Sequence, residues 1–139
     1  MKLARRLAVC GAIVVVAALA PAAVASAEVV VPFQINPAPF GNPNGSFDSP
    51  RVSCVAVVGE QPGGARITGG DPTRPGCYAV SDVRWLNLST GATGSARMSD
   101  GVGGSPAEAI VLSGAGQVAV VALPVSGTTV PGVATFFVP

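Results

Sequence analysis

The chain has 139 residues, 49% of them hydrophobic and only 11% charged, with eight Lys and Arg against seven Asp and Glu and no histidine. A near-neutral balance without a basic stripe excludes the electrostatic footprint of a nucleic-acid binder. The missing histidine removes the commonest general base and the Ser-His and Cys-His nucleophile systems.

The first segment, MKLARRLAVCGAIVVVAALAPAAVASA, places Lys2, Arg5 and Arg6 ahead of an apolar run from Leu7 to Ala20 and then small residues. That order predicts a secretory signal peptide over 1–27, cleaved before Glu28, with Ala25 and Ala27 at the small-residue positions. Pro21 and the alanine string disfavour a retained helical anchor, so no stable membrane span is expected after cleavage. Once 1–27 is removed, five arginines face seven carboxylates, a net charge of −2 with no lysine.

Residues 28–50 form a proline-rich lead, VVVPFQINPAPFGNPNGSFDSP from Val29 onward. Its prolines and Asn-Pro and Asn-Gly pairs forbid a long regular element. Val29–Val31 reads as a short edge strand. Phe33, Phe40 and Phe47 recur every seven residues, and some of them are expected to pack on the domain rather than sit in solvent.

From 51 to 139 the chain is punctuated by turn clusters such as EQPGG, TGGDP, TRPG, SDGVGG and SGAG. They isolate short runs rich in Val and aromatic residues at 51–58, 77–88, 94–99, 108–113, 117–125 and 134–139, which predict strands. The segment VRWLNLSTGATGSARMS reads as a hairpin. Val83, Trp85 and Asn87 fall on one face of its first strand and Arg84, Leu86 and Leu88 on the other, with Trp85 taken as core. In the last strand, Ala134, Phe136 and Val138 alternate with Thr135 and Phe137, so both faces are largely apolar. That fits a strand buried between sheets better than a transmembrane barrel strand with one polar side, and an unpaired edge of this kind admits a homodimer.

Cys54 and Cys77, the pair left after signal cleavage, predict a disulfide in an oxidising compartment, with a stabilisation of about 3 kcal/mol. No CxxC and no histidine stand beside them to make a metal site. The segment they close, VAVVGEQPGGARITGGDPTRPG, is the candidate binding loop, carrying Glu60, Arg66, Asp71 and Arg74. Loops presented by a rigid scaffold are where small β domains bind. No catalytic residue, metal ligand or cofactor site is assigned. GGSPA and LSGAG lack the hydrolase nucleophile elbow, DGVGGS lacks the alternating ligands of a calcium loop, and QPGGARITGGDP has no phosphate-binding lysine. NGS at 44–46 and NLS at 87–89 match the glycosylation acceptor pattern.

With one cysteine pair, a single tryptophan, this turn spacing and the closing strand GVATFFVP, residues 51–139 resemble immunoglobulin-like β-sandwich domains. Trp85 follows Cys77, whereas the immunoglobulin pattern places the tryptophan between the cysteines. The stretches TGATGSARMSDGVGG and PGVATFFVP are similar to small exported proteins of high-GC Gram-positive bacteria. The expectation is therefore an all-β, small antiparallel immunoglobulin-like sandwich with one disulfide, exported by a cleaved signal peptide. It would be a secreted, non-enzymatic binding or envelope-associated module for an unknown extracellular or envelope ligand. The alternatives are an oligomeric barrel component of an outer layer and, more remotely, a small carboxylate-dependent hydrolase.

Overall fold

A computed structural model of the chain describes residues 27–70, 76–78, 80–101, 105–124 and 129–139. Residues 1–26 of the signal segment therefore lie outside the described residues. Ten strands and no helix make up the described chain: β1 Val29–Pro32, β2 Ala38–Pro39, β3 Cys54–Val58, β4 Ala65–Gly69, β5 Val80–Asn87, β6 Thr93–Arg97, β7 Ala109–Val111, β8 Gly116–Pro124, β9 Thr129–Val130 and β10 Gly132–Val138. They form two antiparallel four-stranded sheets, ordered β1-β3-β4-β7 and β10-β8-β5-β6, and a small β2-β9 pair.

The two sheets enclose one core. Alternation decides which residues enter it, because successive side chains leave a strand on opposite faces. Cys54, Ala56 and Val58 of β3 and Ala65 and Ile67 of β4 face Val118, Val120 and Ala122 of β8 and Ala134, Phe136 and Val138 of β10, all buried. The register aligns these rows, with Phe136 opposite Val118 and Ala134 opposite Val120.

Trp85 lies on the core face of β5, between buried Val83 and Asn87 and opposite Val120, where it packs against the core while remaining half-buried. Its ring covers Gly94 on the edge strand β6. A Cβ at Gly94 would sit 2.4 Å from Trp85 Cζ2, so the missing side chain is what gives the indole its seat.

Two features depart from the sequence reading, while the expectation that some of the lead phenylalanines pack on the domain holds for one of them. Residues 65–69, read as part of a loop, form the inner strand β4, hydrogen-bonded to both β3 and β7. The last strand is covered on one face only: Phe136 is in the core while Phe137 is 63% exposed. Of the three lead phenylalanines only Phe33 is buried, and Phe40 and Phe47 stand in solvent.

The lead is built into both sheets. Val29–Pro32 pairs with β3, Phe33 N–H donates to the Cys54 carbonyl at 3.0 Å, and the chain then crosses to the other sheet, where Ile35 and Val133 exchange backbone hydrogen bonds of 3.1 and 2.7 Å. Residues with this many prolines cannot form a continuous ladder, so the lead makes short pairings joined by turns.

Candidate functional site

Cys54 and Cys77 are joined by a disulfide, and both are buried. A pair of glycines lets the chain return to close it. Gly69, opposite Cys54 in the ladder, lies so close to Gly76 that a Cβ on Gly69 would fall 2.5 Å from the Gly76 Cα.

Of the candidate loop residues, Glu60 and Arg66 bind each other. Arg66 Nε donates to Glu60 Oε2 at 2.7 Å and Nη2 to Oε1 at 2.6 Å, with Glu108 Oε2 3.6 Å from Nη1. The bidentate bond from Arg66 holds the Glu60 carboxyl below its ordinary range, and Glu60 raises Arg66 in return. Arg66 sits on strand β4 directly opposite Val57, so its charge is engaged within the β3–β4 hairpin. Asp71 and Arg74 lie outside the described residues.

The structure brings together a different set of residues. A cleft of about 470 Å³ is lined by Gln34, Ile35, Asn36, Ala38, Gly41, Pro43, Asn44, Arg51 and Val130, a volume in the usual range of small-ligand sites.

Its walls are held by local bonding. Gln34 is fully engaged, donating from Nε2 to the Pro32 carbonyl and accepting at Oε1 from Thr135 N–H at 2.7 Å. Asn36 Oδ1 accepts from Cys54 N–H at 2.8 Å, which fixes the carboxamide so that Nδ2 is the atom left to donate. A turn follows in which Gly41 N–H bonds the Ala38 carbonyl and Asn42 N–H the Pro39 carbonyl. Inside this turn Phe40 adopts φ 56°, a left-handed conformation rare for a bulky residue, with its ring 79% exposed. Such a conformation costs on the order of 1 kcal/mol.

Asn42 then organises the next turn, donating from Nδ2 to the Gly45 carbonyl and accepting at Oδ1 from Asn44 N–H. Gly45, at φ 72°, packs on the backbone of Pro50 and Arg51, where a Cβ would come within 2.3 Å of Arg51 N. That close approach sets Arg51 at the cleft.

The lining offers one guanidinium, the carboxamides of Asn36 and Asn44, and the apolar surfaces of Ile35, Pro43 and Val130, with no carboxylate and no thiol. Such a set can hydrogen-bond and orient a ligand, and it contains no acid and base pair. Among the described residues no three His, Cys, Asp or Glu lie close enough to hold a metal ion, and no helix is long and apolar enough to cross a membrane. In the sequence NPAPFGNPNG announces turns only; the return of Val130 and Arg51 is what encloses the cleft.

The outward face of the second sheet is the other notable surface. Ladder register sets Val133, Val121 and Arg84 in one row and Thr135, Ala119 and Leu86 in the next. Val121, Leu86, Leu88 and Phe137 are all exposed there. Asn87, by contrast, is fully buried, donating to the carbonyls of Ser113 and Ala115 at 2.9 Å and accepting from Ser89 and Thr90 N–H. Its amide nitrogen is therefore inaccessible as a glycosylation acceptor in the folded chain, whereas Asn44 is exposed.

No protein-family model matches the chain, and neither a curated protein nor a solved structure matches it.

Proposed function

We propose that this chain is an exported, non-enzymatic binding module acting outside the cell or on its envelope, with its ligand seated in the cleft between the lead, Arg51 and Val130. The observation that carries this reading is the construction of the cleft. Gln34 and Asn36 are fixed by bonds that reach both sheets, while Asn36 Nδ2, the Asn44 side chain and the Arg51 guanidinium have no partner among the described residues. The Asn36 carboxamide, held in place before a ligand arrives, loses little freedom on binding.

In this reading the sandwich is immunoglobulin-like in its second sheet, where β10-β8-β5-β6 follows the G-F-C-C′ order. The first sheet differs in placing the hairpin partners β3 and β4 side by side. The buried disulfide suits an oxidising compartment.

Co-sedimentation of the purified chain (residues 28–139) with insoluble envelope material from its host tests the reading. Saturable pelleting that weakens in Arg51→Gln is the expected result. A chain that stays in the supernatant over the whole concentration range and also binds no soluble acidic sugar would overturn it. The exposed side chains of Leu86, Val121 and Phe137 favour a second reading, association through the outward face of the second sheet. A concentration-dependent mass in sedimentation equilibrium, lost in Phe137→Lys, would mark that case.

A further inference from the structure

The geometry points to a sugar acid, a pyranose ring carrying one carboxylate, as the ligand of the cleft; this rests on the reading of the chain as a binding module. The charge comes first. The lining contains a single cation, Arg51, and no carboxylate, and among the described residues Arg51 makes no ion pair. One guanidinium matches one carboxylate, which it holds through two parallel hydrogen bonds. A phosphate carries more charge and is ordinarily held by further cations or by a nest of backbone N–H groups. Here the nearby turn amides are spent: those of Gly41, Asn42 and Gly45 bond the carbonyls of Ala38, Pro39 and Asn42.

The neutral groups point to hydroxyls. Asn44 presents a carboxamide with both a donor and an acceptor, and Asn36, its oxygen taken by Cys54 N–H, presents a donor. Adjacent ring hydroxyls each donate and accept, so they satisfy such a pair where a hydrocarbon chain would leave it unbonded. The remaining wall is apolar and open: Ile35 and Val130 are 51% and 42% exposed, beside Pro43. These aliphatic side chains offer apolar contact to the C–H face of a pyranose. A fatty acid would need an enclosed apolar channel, which this lining does not provide.

Titration calorimetry of the chain (residues 28–139) with trigalacturonate, galacturonate monosaccharide and the neutral galactose trimer tests the assignment. Saturable binding of trigalacturonate is expected, weakened at least about tenfold in the neutral trimer and in Arg51→Gln, and reduced by salt, as a charged contact requires. Binding of the monosaccharide within a few-fold of the trimer would place the source as free sugar acid; a strong preference for the trimer would place it as a polymer. Arg51 is exposed, so its variant should keep the wild-type melting temperature, and Asn44→Ala gives an independent loss of affinity at the same cleft. Equal affinity for neutral and acidic trimers, or no binding of either acidic probe at millimolar concentration, would overturn the inference. If envelope material still pellets the chain in an Arg51-dependent way while the acidic sugars fail, the ligand class falls and the binding-module reading stands.

Discussion

Asn87 carries an unusual share of the fold for one side chain. It is fully buried, and its carboxamide joins the turn after β5 to the crossover that leads into β8. Both elements are irregular backbone, whose polar groups would otherwise be left unpaired in the interior. Asn87→Ala is expected to cost about 2 to 3 kcal/mol, read from urea unfolding, and Asn87→Asp should not restore it, because the acid loses the donors to Ser113 and Ala115. The Glu60–Arg66 pair makes a smaller, pH-dependent contribution. Since the native Glu60 pKa is lowered, the stabilisation is present above the ordinary glutamate value of about 4.3 and is lost as pH falls through the native value. Comparing wild type with Glu60→Gln, the stability gap should be no more than about 1 kcal/mol at pH 7 and should close as pH falls through the lowered native value.

At the scale of strands, the informative places are edges. β6 and β10 bound the second sheet, and each edge is managed differently. On β6, Trp85 fills the space over Gly94, so an edge strand that lacks a side chain still contributes packing. Gly94→Ala should push the indole outward and red-shift the emission of the only tryptophan, with a loss of about 1 kcal/mol despite the better strand propensity of alanine. On β10 the lead covers the edge, through the Ile35–Val133 bridge and the Gln34 side chain on Thr135 N–H. An uncovered edge is a template for pairing with another chain. Gln34→Ala should cost about 1 kcal/mol and speed amide exchange at Thr135 while leaving the β8–β10 ladder protected.

For the whole molecule, the disulfide is the main constraint on the unfolded chain. It closes a loop of sequence separation 23, and Cys54→Ser should cost about 3 kcal/mol in the chain-entropy model, a fall of roughly 15 °C in Tm for a domain of this size. Wild type in reductant should fall to the same Tm. The cysteine pair, the all-β class and most strands were legible in the sequence because they follow from local chemistry: alternation, turn residues and an even cysteine count. Trp85 was placed on its correct face because large aromatic groups dominate small cores; alternation alone, which pairs it with Val83 and Asn87, did not choose the face. Strand β4 was missed because ARITG is short and framed by glycine pairs, and its strand character comes from hydrogen bonds to neighbours on both sides. Glu60 and Arg66 looked available for a ligand because a separation of six positions hides the fact that a hairpin brings them to 2.6 Å. The cleft was illegible for the same reason at longer range. Gln34, Asn36, Arg51 and Val130 meet only when the lead crosses from one sheet to the other and the final hairpin returns beside it. Sequence by itself determined which segments extend and where they turn, since those are properties of neighbouring residues; which polar groups are spent on each other and which remain for a ligand was decided by contacts between distant ones.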